Sequence, residues 1–85
     1  MNESKTQKKM RRLIMETERL LNLNFVAIDK VQKDLELSAK VTHKEKIKIF
    51  RRNDRRIKNI GFKMNSAIEN LIETKSISLK LSGSE

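Results

Sequence analysis

Apolar residues recur every seven positions along two long segments of this chain. In the first segment, the repeat places Ile14, Leu21, Ile28 and Leu35 seven residues apart. A second series with the same spacing fills alternate positions of the same helix face: Met10, Thr17, Asn24, Val31 and Ser38. A sustained period of seven is typical of a helix that packs along its whole length. The pattern therefore predicts one long helix in the first half of the chain.

The limits of this helix follow from its flanking residues. Ser4 and Gln7 have the spacing of a capping box, in which each side chain bonds the backbone N–H of the other residue. We therefore predict a helix over residues 5–39. Its weakest point is the segment Asn22-Leu23-Asn24, where a break would convert a two-helix arrangement into a three-helix one.

A second helix is predicted from a second capping box, formed by Thr42 and Glu45. Beyond it the period of seven returns in a series of four residues: Phe50, Ile57, Met64 and Leu71. Ile47, Ile60, Ala67 and Ile68 extend the apolar pattern around this series. The second helix is therefore predicted over residues 43–74. Gly61 lies inside it and costs about 1 kcal/mol relative to Ala, unless it allows a close helix approach or a kink.

These two elements predict an all-α fold. The connection between the helices is short, so the helices lie antiparallel as a hairpin. Because two helices cannot enclose their own apolar faces, we expect a homodimer that forms a four-helix bundle, or packing against another protein. The residues expected at this bundle interface are Ile14, Leu21, Ile28, Leu35, Phe50, Ile57, Met64 and Leu71.

The predicted organisation is a hairpin domain over residues 1–74 and a tail over residues 75–85. In the tail the apolar period changes from seven to two, with Ile77, Leu79 and Leu81 on one side. This alternation is compatible with a flexible terminus, or with a strand that forms when the segment adds to the sheet edge of a partner.

Charge is concentrated in the second helix. The chain carries a net charge of +9, and residues 41–63 alone hold nine cations and two acids, a net +7. At 100° per residue, five of these cations fall along one line of the helix, and we call them the basic row: Lys44, Lys48, Arg51, Arg55 and Lys58. Arg52, Arg56 and Lys63 widen the row on one flank, and Phe62 continues its line.

The like charges in this segment argue against a merely solubilising surface. Lys44 with Lys48 and Arg51 with Arg55 stand four apart, a spacing that costs an isolated helix about 0.2–0.5 kcal/mol per pair. The guanidinium groups match phosphate oxygens two at a time and stack on bases. The exposed ring expected at Phe62 suits an unpaired base, although packing against a helix would also explain it.

Two functions compete at this stage. The first is a non-enzymatic nucleic-acid-binding protein that contacts phosphates through the basic row and its flanking residues. The second is a helical adaptor or assembly factor, whose apolar faces complete a bundle with a partner protein and whose cations meet an acidic surface. The sequence does not distinguish DNA from RNA, and it predicts no sequence-specific reader, because its two long helices differ from a helix-turn-helix.

Other classes are disfavoured by what the sequence lacks. His43 is the single histidine and there is no cysteine, so neither a metal site, a cofactor nor catalysis is expected. The longest apolar run, Phe25-Val26-Ala27-Ile28, is far shorter than the roughly 20 residues of a membrane span. We expect a cytoplasmic protein with no transmembrane segment.

Overall fold

The protein folds as two long antiparallel helices. A computed structural model describes residues 4–83, in which α1 spans Lys5–Ser38 and α2 spans His43–Gly83. Residues 39–42 form the turn between them, and Lys40 N donates to Leu37 O at 2.9 Å as α1 ends. The predicted all-α helical hairpin is confirmed.

Both predicted capping boxes are present. Ser4 Oγ accepts from Gln7 N at 3.1 Å, while Gln7 Oε1 accepts from Ser4 N at 3.0 Å. The second box, between Thr42 and Glu45, has two longer hydrogen bonds of 3.4 Å each. Each box satisfies backbone donors that the first turn of a helix leaves without partners. These contacts explain why both helices begin within a residue of the predicted positions.

The helices are longer and more regular than the sequence pattern predicts in two places. α1 continues without a break through Asn22 and Asn24, so a three-helix arrangement does not form. α2 does not end near Thr74 but extends to Gly83. The alternating residues of the predicted tail therefore lie on a helix, and addition of this segment to a partner's sheet stays a prediction. Residues 1–3 and 84–85 of the predicted domain and tail lie outside the described residues.

Contacts with the start of α1 explain the extension of α2. Ile77 is half-buried and lines a shallow groove together with Lys5, Thr6 and Lys9. The Thr74 hydroxyl donates to Asn70 O at 2.8 Å, so its hydroxyl group has a hydrogen-bond partner inside the helix. The chain contains no proline to stop the helix. Packing against α1 thus outweighs the period-two pattern of the last segment.

The hairpin is a rod that is only one helix thick. Its principal extents are 64 × 21 × 14 Å, and its radius of gyration is 19.0 Å. A compact domain of this length has a radius of gyration of about 12 Å. A single layer buries one stripe on each helix and leaves the other faces to solvent or to a partner.

The buried stripe between the helices, which we call the inner stripe, is largely polar. It follows a spacing of three and four residues, and every member is buried or half-buried. In α1 it comprises Met10, Leu13, Thr17, Leu20, Asn24, Ala27, Val31, Asp34 and Ser38. In α2 it comprises Lys46, Ile49, Asn53, Arg56, Ile60, Lys63, Ala67, Asn70, Thr74 and Ile77. Four of the nine positions in α1 and six of the ten in α2 are polar.

Two asparagines of the inner stripe are incompletely satisfied. Asn24 is 2% exposed, and its Nδ2 donates to Ile60 O on the other helix at 3.2 Å, which sets the register of the pair. Its Oδ1 is buried without a hydrogen-bond partner in the described part of the hairpin, as is Nδ2 of Asn53. A buried polar group left unpaired costs about 1–3 kcal/mol. The hairpin therefore sacrifices stability for polar contacts that favour one register.

Replacing Asn53 with an apolar residue of similar size should stabilise the protein. In Asn53→Leu the unpaired buried donor is gone, and we expect the free energy of unfolding to rise by about 1–2 kcal/mol. Urea denaturation followed by circular dichroism, at one fixed protein concentration, measures the change. Asn59→Leu is the matched control at an exposed position of the same helix and should shift stability by less than about 0.5 kcal/mol. An equal gain in both variants would contradict the assigned cost of the buried amide.

Candidate nucleic-acid interface

The basic row lies on the outer face of α2, opposite the inner stripe. All five of its cations are exposed. Lys58 forms an ion pair with Asp54 at 3.0 Å, one turn earlier on the same helix. Lys44, Lys48, Arg51 and Arg55 form no ion pair with any residue between 4 and 83. From Lys44 to Lys58 the row is about 21 Å long at 1.5 Å per residue.

Two of the flanking arginines bond a carboxylate of α1, although the Arg52 side chain is still 50% exposed. Arg52 Nε lies 3.0 Å from Asp34 Oδ2, and Arg56 Nη1 bonds the same carboxylate oxygen. Arg56 also donates to Asn53 Oδ1 at 3.3 Å. Because one carboxylate holds both guanidinium groups, these arginines are committed to joining the helices. The structure therefore separates Arg52 and Arg56 from the five residues of the basic row.

Asp34 gains an unusual electrostatic setting from this arrangement. The hydrogen bond from Arg52 holds the pKa of the Asp34 carboxyl below its ordinary value; the bond from Arg56 and the charges of both arginines act in the same direction. The Asp34 side chain is only 15% exposed, in contrast to the acids of the surface pairs. Asp29, for example, pairs with Lys33 at 2.9 Å across one helical turn but is largely exposed.

The remaining predicted binding residues fall in two different environments. Lys63 belongs to the inner stripe and is half-buried, in a groove lined also by Leu23, Lys30 and Asn59. Phe62 is 70% exposed and continues the line of the basic row. Within one protomer α1 therefore leaves most of the ring uncovered. An exposed ring beside a row of cations is the arrangement that stacks on unpaired bases.

A hollow lined by both apolar and charged residues borders the basic row on its other side. It is an open surface depression lined by Ile47, Phe50 and Asp54 together with Arg51, Arg55 and Lys58. Phe50 and the two arginines thus line the same depression, and the aliphatic part of an arginine side chain packs favourably on apolar surface. This hollow joins the basic row to the apolar residues of α2.

The residues predicted at the bundle interface form a face beside the inner stripe and not within it. We call the eight residues Ile14, Leu21, Ile28, Leu35, Phe50, Ile57, Met64 and Leu71 the apolar face. Each lies four positions after an inner-stripe residue, from Met10 and Ile14 to Ala67 and Leu71. Apart from half-buried Leu21, their exposure ranges from 37% to 55%. About half of their surface is therefore uncovered in a single hairpin.

Both halves of the apolar face lie on the same side of the hairpin. Antiparallel helices are related by a local twofold axis perpendicular to their plane, so equivalent positions share a side. The ion pair between Lys9 and Glu73, at 2.7 Å, shows this directly for the residues just before Met10 and Thr74. The side of the hairpin that carries this ion pair is polar, and the groove lined by Lys30 and Asn59 lies on the same side. The opposite side is the continuous apolar face.

The N-terminal cations form a separate cluster at the far end of the rod. The cluster lies in the first turns of α1, beside the last turns of α2, and comprises Lys5, Lys8, Lys9, Arg11 and Arg12. The basic row starts at the opposite end, next to the turn. A ligand must be long to contact both clusters on one hairpin.

The described part of the chain contains neither a metal-binding cluster nor a membrane-spanning helix. No three His, Cys, Asp or Glu side chains in residues 4–83 come together in a way that could hold a metal ion. Neither α1 nor α2, as far as it is described, has an apolar stretch that could cross a membrane.

No protein-family model, curated protein or solved structure matches this chain.

Sequence reasoning missed the role of Asp34. The residue lies seven positions after Ala27 in the inner-stripe repeat, so its inward placement was readable from the spacing. Its partners, Arg52 and Arg56, could not be read from the sequence, because they are 18 and 22 residues away along the chain. The seven-residue repeat that contains Arg56 and Lys63 would have signalled a polar stripe on α2.

Neutralising Asp34 should destabilise the hairpin in a pH-dependent manner. Because the folded-state pKa of Asp34 is lowered, its contribution is fully present above the ordinary Asp value of about 3.9 and is lost as pH falls through the folded value. Asp34→Asn should therefore lower the urea midpoint at pH 7, and the difference from the parent should shrink below about pH 4.

Asp29→Asn provides the control, because Asp29 forms an exposed ion pair with Lys33 within α1 and does not contact α2 through it. It should change the urea midpoint far less at pH 7. A difference for Asp34→Asn that stays constant between pH 7 and about pH 3 would contradict the role of the Asp34 carboxylate charge.

Proposed function

We propose that this protein binds nucleic acid without enzymatic activity, contacting phosphates through the basic row on the outer face of α2. One observation carries the proposal. Lys44, Lys48, Arg51 and Arg55 stand along one exposed line and have no acidic partner among residues 4–83. Their mutual repulsion costs helix stability, and phosphates along a strand would offset it.

The contrast with the neighbouring arginines supports this role for the outer row. Arg52 and Arg56 are on the same helix but share an acidic partner, Asp34, which offsets one of their two charges. A surface that serves only solubility does not require that some cations bond a carboxylate while a neighbouring row has no acidic partner. Phe62, exposed at the end of the row, favours strands with unpaired bases over plain duplex.

A protein-binding function is the second candidate, and the apolar face favours it. Seven of its eight residues are 37–55% exposed, and contiguous apolar surface of this kind is typical of interaction sites. In that case the hairpin is an adaptor that completes a helical bundle with a different protein, and the basic row meets an acidic surface. A lone chain that is monomeric and gains helicity only with such a partner would support this function.

The nucleic-acid proposal predicts a specific salt dependence. Purified protein should bind at least one of duplex DNA, single-stranded DNA and structured RNA, and binding should weaken steeply between about 50 and 200 mM salt. Arg51→Gln/Arg55→Gln should weaken binding at least about tenfold at low salt and flatten the log–log salt slope by about 1 to 2. Fluorescence anisotropy with labelled oligonucleotides measures both quantities.

Two matched variants control for charge and for helix position. Lys75→Gln/Lys80→Gln removes the same charge from α2 away from the row and should change affinity little. Arg52→Gln/Arg56→Gln removes the arginines held by Asp34 and should have a smaller effect than the outer pair, provided circular dichroism shows intact helices. Equal losses in all three variants, or no binding by the parent, would overturn the proposal.

A further inference from the structure

The apolar face is richer in large apolar side chains than the stripe that holds the hairpin together. The inner stripe contains ten polar residues among its nineteen positions, whereas all eight residues of the apolar face are apolar. Burial of apolar surface contributes about 25 cal/mol per Å², so covering these half-exposed side chains offers a gain that the single hairpin does not realise. The accessible surface of the chain is 7055 Å². A compact monomer of 10.0 kDa exposes only about 5,200 Å².

The size of this face matches that of a stable dimer interface. From Ile14 to Leu35 it is about 32 Å long at 1.5 Å per residue, and two adjacent helices make it about 20 Å wide. Two such faces in contact bury at least about 1,200 Å² in total, which is within the range of specific protein interfaces. The apolar face therefore supplies enough area for a second copy of the chain.

The charges beside the face do not select an oppositely charged partner. Arg11 and Glu18 flank it on α1, and Asp54 and Lys75 flank it on α2, so the two signs balance. The uncompensated cations of the basic row are on the outer face of α2. A strongly acidic partner would match the basic row but not this face. A second copy places apolar residues on apolar residues.

A protruding ring and a glycine lie within one helical turn of the same height on the two helices, about 3 Å apart along the rod axis. Asn24 donates to Ile60 O, and the next residue on each helix is Phe25 and Gly61. Phe25 is 67% exposed, and a Cβ built at Gly61 would meet nothing within 4 Å. Both residues border the apolar face, because each follows an inner-stripe residue by one position. Gly61 lowers the helix propensity of α2 by about 1 kcal/mol and gains no packing within its own hairpin.

We propose that the apolar face binds a second copy of this chain, with α1 of each protomer packed antiparallel against α2 of its partner and Phe25 seated on the partner's Gly61. In this arrangement the twofold axis runs along the rod, so each residue keeps its height and the Phe25 ring has only about 3 Å to span along the axis to reach the partner's glycine. All neighbouring helices in the resulting four-helix bundle are antiparallel. Both basic rows remain outside, near the same end. The pairing does not depend on nucleic-acid binding.

Sedimentation equilibrium on nuclease-treated protein tests the dimer itself. The parent should be a dimer at micromolar concentration, and added salt should leave the dimer unchanged or strengthen it, because the two copies each carry +9. Nucleic-acid binding responds to salt in the opposite direction, so failure of one proposal is distinguishable from failure of the other. A monomer at all concentrations would overturn the inference.

The chain has no cysteine, which makes crosslinking a direct test of the pairing. Phe25→Cys/Gly61→Cys should form a disulfide-linked dimer on oxidation, whereas Phe25→Cys alone should not. Within one hairpin these two positions point away from the inner stripe, so their Cα atoms are at least as far apart as the helix axes, about 8–10 Å. A disulfide needs Cα atoms within about 7 Å of each other. Crosslinking of Phe25→Cys alone, or of Gly61→Cys alone, would show like helices facing each other and overturn the pairing.

A compensating pair of substitutions gives a test that does not depend on oxidation. Gly61→Leu raises helix propensity, so the hairpin keeps its fold, but it fills the gap and should weaken the dimer about tenfold or more. Adding Phe25→Ala should restore most of the lost affinity. Ser66→Leu, on the exposed polar side of the same helix, is the matched control and should leave the dissociation constant unchanged. Equal dimer affinity in Gly61→Leu and the parent would overturn the seating of Phe25.

Discussion

The structure depends on the limited burial that two helices in a single layer provide. Each helix covers one stripe of the other, and here that stripe contains about as many polar side chains as apolar ones. The hydrogen bond from Asn24 to Ile60 and the contacts of Asp34 with two arginines are made only in one register. Polar groups in such positions specify alignment at a cost in stability. The register of the two helices is therefore well defined, but the hairpin buries little apolar surface between them.

This use of the inner stripe determines what the other surfaces present. The seven-residue series of large apolar side chains is displaced to one side, where it forms the apolar face. The opposite side carries polar residues and the ion pair of Lys9 with Glu73. The outer face of α2 carries the basic row. A short chain thus separates an apolar surface, which favours association with protein, from a cationic surface, which favours an anionic ligand.

Asp34 links α1 to α2 through ion pairs with two arginines. By bonding Arg52 and Arg56 it offsets one of their two positive charges and joins α1 to α2 near the turn. The remaining row is narrower than the charge count of the segment suggests, but within residues 4–83 only Lys58 among its members is paired with an acid. The proposed nucleic-acid binding and the proposed self-association use different faces and should respond oppositely to salt, which allows each to be tested alone.

The amino-acid sequence by itself determined the helices and their starts. Heptad spacing and the two capping boxes are local, and local hydrogen bonds such as Ser4 with Gln7 do not depend on distant residues. Only the tertiary structure decided which of two adjacent seven-residue series lies between the helices, because both repeats fit a packed helix equally well. It also decided the partners of Asp34 and the extension of α2 past Thr74, since these depend on contacts between residues far apart in the chain.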